Sequence, residues 1–178
     1  LLAAGAARAQ GGAPVEGNGY AKAAEMGVKL PDNWFKALEL FEGIGDLSKQ
    51  APIEVTVDLG SPGKHEFAPK QLKFETGKLY KLILRNTSND PHYFTSHAFS
   101  QMVFTRKVQV TQQQNGKAVT LAEFKGAIRE IEVYPGQTAE WWFVPVATGT
   151  VTDLRCGIVA ADGKSHADHG MVGEIVIE

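Results

Sequence analysis

Apolar and polar residues alternate along most of the chain from about residue 52 onward. Ile53, Val55, Val57 and Leu59 are each separated by one residue, and the intervening positions are polar. This period of two predicts a half-buried strand. The same alternation recurs at residues 80–85, where Tyr, Leu and Leu occupy every second position. Further short extended runs are predicted at residues 92–99, 102–110, 130–133, 138–144, 150–155 and 172–177.

Turn-forming residues separate these runs. Gly and Pro cluster at 60–63, Asn, Ser, Asp and Pro cluster at 86–91, and a Pro-Gly pair stands at 135–136. A polar loop is expected at 112–116 and one helical turn at 121–125. Seven or eight short strands without regularly interspersed helices predict an all-β fold, an antiparallel sandwich or barrel.

The first fifty residues follow different patterns. Trp34, Leu38 and Phe41 recur at helical spacing, which predicts a short amphipathic helix covering one end of the domain core. Residues 10–30 are rich in Gly and Ala and have no periodic pattern. The sequence therefore predicts three regions, with boundaries at 1–9, 10–50 and 51–178.

The segment 1–9 resembles the second half of a secretory signal peptide. Ala7 and Ala9 satisfy the small-residue rule for cleavage, which would leave Gln10 as the new terminus. This interpretation predicts a periplasmic or otherwise exported protein. A plain alanine-rich terminus is the alternative interpretation.

Composition narrows the class of protein. Of the 178 residues, 43% are hydrophobic and 21% are charged, so an ordinary core is expected. The net charge is -2 and no long basic run is present, which argues against nucleic-acid binding. No apolar stretch is long enough to cross a bilayer. The single cysteine excludes an intrachain disulfide and a zinc site built from several thiolates.

Metal-binding side chains gather near the end of the chain. Cys156, His166 and Met171 share one predicted loop, and His92 directly follows the turn cluster at 86–91. Two imidazoles, one thiolate and a weak thioether are the ligand types that suit a blue-copper centre. The sequence therefore predicts a copper site built from His92, Cys156, His166 and Met171.

The other three histidines are rivals or neighbours of these ligands. His97 lies five residues after His92, so on one regular strand the two side chains would face opposite sides. His169 competes with His166 for the loop ligand and is interpreted as an exposed neighbour. His65 is interpreted as a solvated turn residue.

The region from about 52 to 178 resembles the cupredoxin family. The similarity lies in Phe67-Ala-Pro69, in Leu82 to Asn86 followed by His92-Tyr-Phe94, in Val133-Tyr-Pro-Gly136, and in Cys156 with His166 to Met171. The resemblance implies a Greek-key β-sandwich that binds one copper ion through those four ligands. It also implies electron transfer through an exposed edge of His166. Residues 157–165 form a longer loop than in the small carriers, closer in length to that of the copper nitrite reductases.

A one-electron carrier with a redox partner protein is the function that this resemblance implies. A copper tolerance or delivery protein with the same site, working with other copper-handling proteins, is the alternative. Enzymatic activity is not expected. Ala160 stands where a dinuclear copper centre needs a second cysteine, and Arg155 and Gly157 flank Cys156 where a second metal site would need a histidine.

Overall fold

The computed structural model describes residues 47–178. The predicted helix around Trp34, the segment 1–9 and most of the segment 10–50 lie outside the described residues. A short 3₁₀ helix at Leu47–Lys49 precedes the first strand. The described part contains one α-helix and eleven strands: β1 Ile53–Ser61, β2 Lys64–Ala68, β3 Gln71–Phe74, β4 Tyr80–Arg85, β5 His92–Thr95, α1 His97–Met102, β6 Val103–Gln114, β7 Lys117–Phe124, β8 Glu130–Val133, β9 Thr138–Pro145, β10 Gly149–Arg155 and β11 Val172–Ile177.

The strands form two sheets. The six-stranded sheet has the order β2-β1-β4-β9-β6-β7, and the five-stranded sheet has the order β3-β11-β10-β5-β8. Most neighbours are antiparallel, but β1 pairs with β4 and β3 pairs with β11 in parallel. The chain crosses to the other sheet as β3 before it returns as β4, so β4 runs in the same direction as β1. The predicted all-β sandwich is confirmed, with mixed rather than purely antiparallel sheets.

Aromatic side chains from the two sheets meet in the core. Phe74 of the smaller sheet packs edge-on against Tyr80 and Phe143 of the larger one, at ring-centroid distances of 4.9 and 5.2 Å. Phe99 and Trp141 extend this cluster and are almost fully buried. Burial of each such ring removes a large apolar surface from water, so the cluster holds the two sheets together.

Three local predictions are wrong. The run expected at 92–99 ends as a strand at Thr95, because Ser96 accepts a hydrogen bond from the Phe99 amide and caps α1. The residues expected to form a helical turn at 121–125 belong instead to the exposed strand β7. The polar loop expected at 112–116 is the end of β6 and a tight turn, since Asn115 and Gly116 both take positive φ.

Candidate metal centre

Neighbouring strands bring the four predicted ligands to one end of the sandwich. His92 is the first residue of β5, and Cys156 directly follows β10, which pairs with β5. Met171 directly precedes β11, the other neighbour of β10. His166 lies in the loop that connects β10 to β11. Because these strands are hydrogen-bonded neighbours, their ends meet at the same rim of the sheet.

The donor atoms of three of these residues are in close contact. Nδ1 of His92 lies 3.1 Å from Nδ1 of His166. Sγ of Cys156 lies 3.9 Å from Nδ1 of His92 and 3.5 Å from Nδ1 of His166. All three residues are at most 2% exposed. Two imidazole nitrogens and one sulfur therefore face a common point inside the protein.

These distances fit a single metal ion. With the bond lengths of tetrahedral zinc sites as a guide, about 2.0–2.1 Å to nitrogen and about 2.3 Å to sulfur, two nitrogens lie about 3.3 Å apart and nitrogen and sulfur about 3.6 Å apart. The separations of 3.1, 3.5 and 3.9 Å lie close to these values. The donor atoms are therefore already spaced for binding without rearrangement of the strands.

Met171, the fourth predicted ligand, is buried in the same core. Its side chain is fully buried and belongs to the apolar cluster that includes Cys156. Its backbone is fixed on both sides, since its carbonyl accepts from the Cys156 amide at 3.1 Å and its amide donates to the His166 carbonyl at 2.9 Å. The thioether is a weak ligand, the type found in the axial position of blue-copper sites.

These side chains supply the donor types of a blue-copper centre, two imidazoles, one thiol and one thioether.

Ser88 fixes the orientation of His92 in this donor cluster. The Ser88 hydroxyl lies 2.8 Å from Nε2 of His92, on the side of the ring away from the cluster. With Nε2–H donating to that hydroxyl, Nδ1 carries the lone pair that faces the other donors. Burial, followed by the neighbouring His166 and His65, lowers the pKa of His92 to about 4. The ring is therefore neutral near pH 7, as a metal ligand must be.

Asn86 anchors the turn that carries Ser88 and leads to His92. Its side-chain amide donates to the carbonyls of Asp90 and Val133, and its Oδ1 accepts from the amide and the hydroxyl of Ser88. The Asn86 carbonyl also accepts from the amide of Gly136 in the neighbouring turn. Through its side chain and its main-chain carbonyl, Asn86 thus joins two turns that are far apart in sequence and supports the position of His92.

The thiol of Cys156 is buried and receives a backbone hydrogen bond. Burial raises its pKa, while the amides of Tyr93 and Ile158 lower it in part. The Tyr93 amide nitrogen lies 3.2 Å from Sγ. Since a thiolate is the form that binds metal, metal binding releases the thiol proton. The N–H donor then stabilises the resulting negative charge on sulfur.

Backbone contacts fold the long ligand loop back on itself. Val159 and Ser165 form an isolated antiparallel bridge. The amide of His166 donates to the carbonyl of Ile158 at 2.7 Å, and the amide of Ala167 donates to the carbonyl of Cys156 at 2.9 Å. Residues 157–165 therefore form a separate side loop. The greater length of this loop does not move His166 away from Cys156.

The two rival histidines are exposed and are not part of the buried donor cluster. His97 is exposed at the start of α1, where its backbone amide donates to Asp153. His169 is exposed, and its Nε2 lies 3.0 Å from a carboxylate oxygen of Asp162. Both positions agree with the choice of His92 and His166.

His65 was not predicted to be near the site, and the interpretation as a solvated turn residue is wrong. It lies on β2, half-buried, with its ring stacked on that of His166 at 3.8 Å and an interplanar angle of 16°. A ring nitrogen of His65 lies within 4.8 Å of nitrogens of both His92 and His166. The sequence did contain a signal, because Phe67 is buried two residues further on and shares its strand face.

The exposed edge expected for His166 is also absent. This residue is only 2% exposed, and His65 covers one face of its ring.

Comparison with known proteins gives matches to solved structures only. No protein-family model matches the chain, and no curated protein matches it. A multicopper oxidase from Campylobacter jejuni is similar at 19% identity and a TM-score of 0.49, over 72% of this chain and 31% of the oxidase. Auracyanin A, a "blue" copper protein from Chloroflexus aurantiacus, is similar at 13% identity and a TM-score of 0.42, over 72% of this chain and all (100%) of that protein. A reduced amicyanin variant is similar at 15% identity and a TM-score of 0.33, over 74% of this chain and 88% of the amicyanin.

All three scores lie below 0.5, so the site is assigned from its own four side chains. The chain spans less than a third of the oxidase's length.

Within residues 47–178, no helix has the length and apolar character needed to cross a membrane.

Proposed function

We propose that this protein binds one copper ion per chain and carries single electrons between redox partner proteins. His92, Cys156 and His166 would hold the ion as strong ligands, and the Met171 thioether would be a weak fourth ligand. The observation that carries this proposal is the convergence of two imidazole Nδ1 atoms and one thiol sulfur, at separations of 3.1–3.9 Å, inside a buried core. This donor set accommodates both Cu(I), which prefers soft sulfur, and Cu(II), which binds imidazole well.

The way the ligands are held supports electron transfer rather than substrate chemistry. Their backbones are fixed by strand pairing and loop hydrogen bonds, so a change of oxidation state requires little movement of the ligands. Four protein donors leave no coordination position for a substrate, in contrast to catalytic metal sites that keep one open. We therefore propose that the protein is not an enzyme.

Burial also favours a carrier over a copper-delivery protein. Delivery requires that an acceptor reach the metal and displace its ligands. Cys156 and Met171 are fully buried, and His166 is 2% exposed. Such a site is built to retain its ion, whereas an electron can leave without any ligand exchange.

Export is the remaining part of the proposal. The sequence Ala7-Arg-Ala9 favours processing before Gln10 and delivery to the periplasm, with residues 51–178 as the copper domain. Fractionation of a bacterium that produces the full precursor, with N-terminal sequencing of the product, tests this part. Recovery of the uncleaved chain in the cytoplasm would contradict it.

A redox titration tests the electron-carrier function. The copper-loaded protein is titrated while its visible thiolate-to-copper absorption is followed. We expect a single reversible step that involves one electron, and no release of copper to a competing Cu(I) chelator. Irreversible reduction, accompanied by rapid transfer of Cu(I) to the chelator, would contradict the carrier and favour copper handling.

A further inference from the structure

His65 stacks on the predicted ligand His166 and is the more exposed of the two residues. Its ring is parallel to that of His166 within 16°, with the two ring centroids 3.8 Å apart. His65 is half-buried, whereas His166 is 2% exposed. A partner that approaches this face therefore contacts His65 before it contacts any predicted ligand.

The geometry of the stack argues against His65 as a further ligand. An imidazole binds metal through a lone pair that lies in the plane of its ring. The rings of His92 and His166 are inclined at 59°, and their Nδ1 atoms converge at 3.1 Å. The parallel rings of His65 and His166 direct their lone pairs side by side, so these do not converge on one ion. His65 therefore stacks on the predicted ligand His166 and is not itself a ligand.

Ring contacts hold His65 in this position. Its Nδ1 is buried and makes no hydrogen bond to the described part of the chain. Its ring instead contacts three other imidazoles, being stacked on His166, edge-on to His92 at 5.9 Å and tilted to His169 at 5.6 Å. A side chain kept in place by ring packing suits a role that depends on ring contact.

We propose that His65 is a positioning residue for electron transfer. This inference rests on the electron-carrier function proposed above. The electron enters and leaves the site through the stacked ring of His65, rather than through an exposed edge of His166. Electron transfer weakens steeply with distance, and more so across an unfilled gap than through groups in contact. The His65 ring is in direct contact with the His166 ring and is itself partly exposed. In self-exchange, one Cu(I) site is oxidised and one Cu(II) site on a second molecule is reduced by the same single electron.

Two substitutions separate ring contact from other roles of His65. His65→Ala removes the ring, and His65→Phe retains a flat ring without its nitrogens. The matched control is His97→Ala, which removes an exposed imidazole that is not part of the donor cluster. Copper-loaded full-length proteins are compared by the electron self-exchange rate, measured from NMR line broadening in mixtures of the reduced and oxidised forms.

We expect His65→Ala to slow self-exchange about 10-fold, the lower end of the range for losing a partner of a metal ligand. His65→Phe restores most of the rate, and His97→Ala leaves it unchanged. The visible absorption band persists in all three variants. In the metal-free protein, His166 becomes reactive toward diethyl pyrocarbonate in His65→Ala, as detected by mass spectrometry, whereas it is protected in the wild type.

Several results would overturn this inference. Self-exchange at the wild-type rate or faster in His65→Ala would show that the electron leaves elsewhere. A rate in His65→Phe as low as in His65→Ala would exclude ring contact as the cause. Loss of the absorption band in His65→Ala would make His65 a ligand. Failure of the proposed copper function is distinguishable, because the wild-type protein itself would then lack the band.

Discussion

Gly60 lies so close to His92 that no larger residue fits at position 60. A Cβ atom there would stand 2.3 Å from Nε2 of His92. Gly60 also has a φ of 70°, in the left-handed region, where a side chain is unfavourable. It occupies the irregularity in β1 between Leu59 and Ser61. The end of β1 therefore packs directly against the ring of His92, the first predicted copper ligand.

Gly60→Ala is expected to displace the His92 ring. We predict copper affinity reduced about 10-fold or more, the range typical for disturbing the support of a metal ligand. Gly63→Ala is the matched control, because Gly63 has a φ of 75° but a methyl group added there would meet no atom within 4 Å. Both variants lose about 1–2 kcal/mol of stability from the backbone conformation. Equal copper affinity in the two variants, measured by competition with a chelator, would contradict this role of Gly60.

Ser88→Ala tests the hydrogen bond that orients His92. It removes the hydroxyl 2.8 Å from Nε2 and leaves that buried nitrogen without its partner. We expect copper affinity to fall about 10–100-fold, while the visible band is retained because all four ligands remain. Thr87→Ala, which removes a neighbouring hydroxyl that donates to the Gly60 carbonyl, is the comparison. Unchanged affinity in Ser88→Ala would show that the strand alone orients the ring.

Met171→Leu tests the axial ligand. The exchange nearly conserves volume, so it should cost less than about 1.5 kcal/mol of stability. Loss of the thioether removes the weak donor that tunes the redox properties of such a site, so the reduction potential should shift. The intense absorption should remain, since Cys156, His92 and His166 are kept. An unchanged potential in voltammetry would exclude Met171 from the coordination sphere.

The carboxyl group of Asp153 makes the stability of the folded protein depend on pH in the acidic range. Burial opposes its ionisation, but hydrogen bonds from Ser96, Ala98 and His97 outweigh burial and lower the pKa of its carboxyl. A lowered pKa in the folded state adds stability above the unfolded value of about 4, and this stability is lost as the pH falls through the folded value.

Asp153→Asn should therefore be less stable than the wild type at pH 7 by about 1 kcal/mol, the size of a charge interaction at a helix N-terminus. The difference in the free energy of unfolding between the two proteins should disappear in chemical denaturation experiments performed well below pH 4. A gap of constant size from pH 7 to pH 2 would contradict the role of the charge.

The convergence of His92, Cys156 and His166 was predictable because each predicted ligand has a local signal. His92 follows a turn cluster at the start of an alternating run, and Cys156, His166 and Met171 share one loop. The cap of α1 was also readable, since Ser96 precedes the helix directly, but the alternation at 92–95 favoured a longer strand.

The contact of His65 with His166 could not be predicted in the same way. It depends on how the β1–β2 hairpin lies against the ligand loop, about one hundred residues away in sequence. The period of two places His65 and Phe67 on one face of a strand, but it does not identify what that face meets. The burial of His166 follows from the same long-range packing, so the expectation of an exposed ligand edge failed for the same reason.

The visible spectrum after addition of one equivalent of Cu(II) tests the central claim most directly. If the thiolate of Cys156 binds copper, the wild-type protein will show an intense thiolate-to-copper absorption. This absorption will be lost in Cys156→Ser and retained in the control His97→Ala. A colourless wild-type protein whose single thiol stays freely titratable in the presence of copper would contradict it.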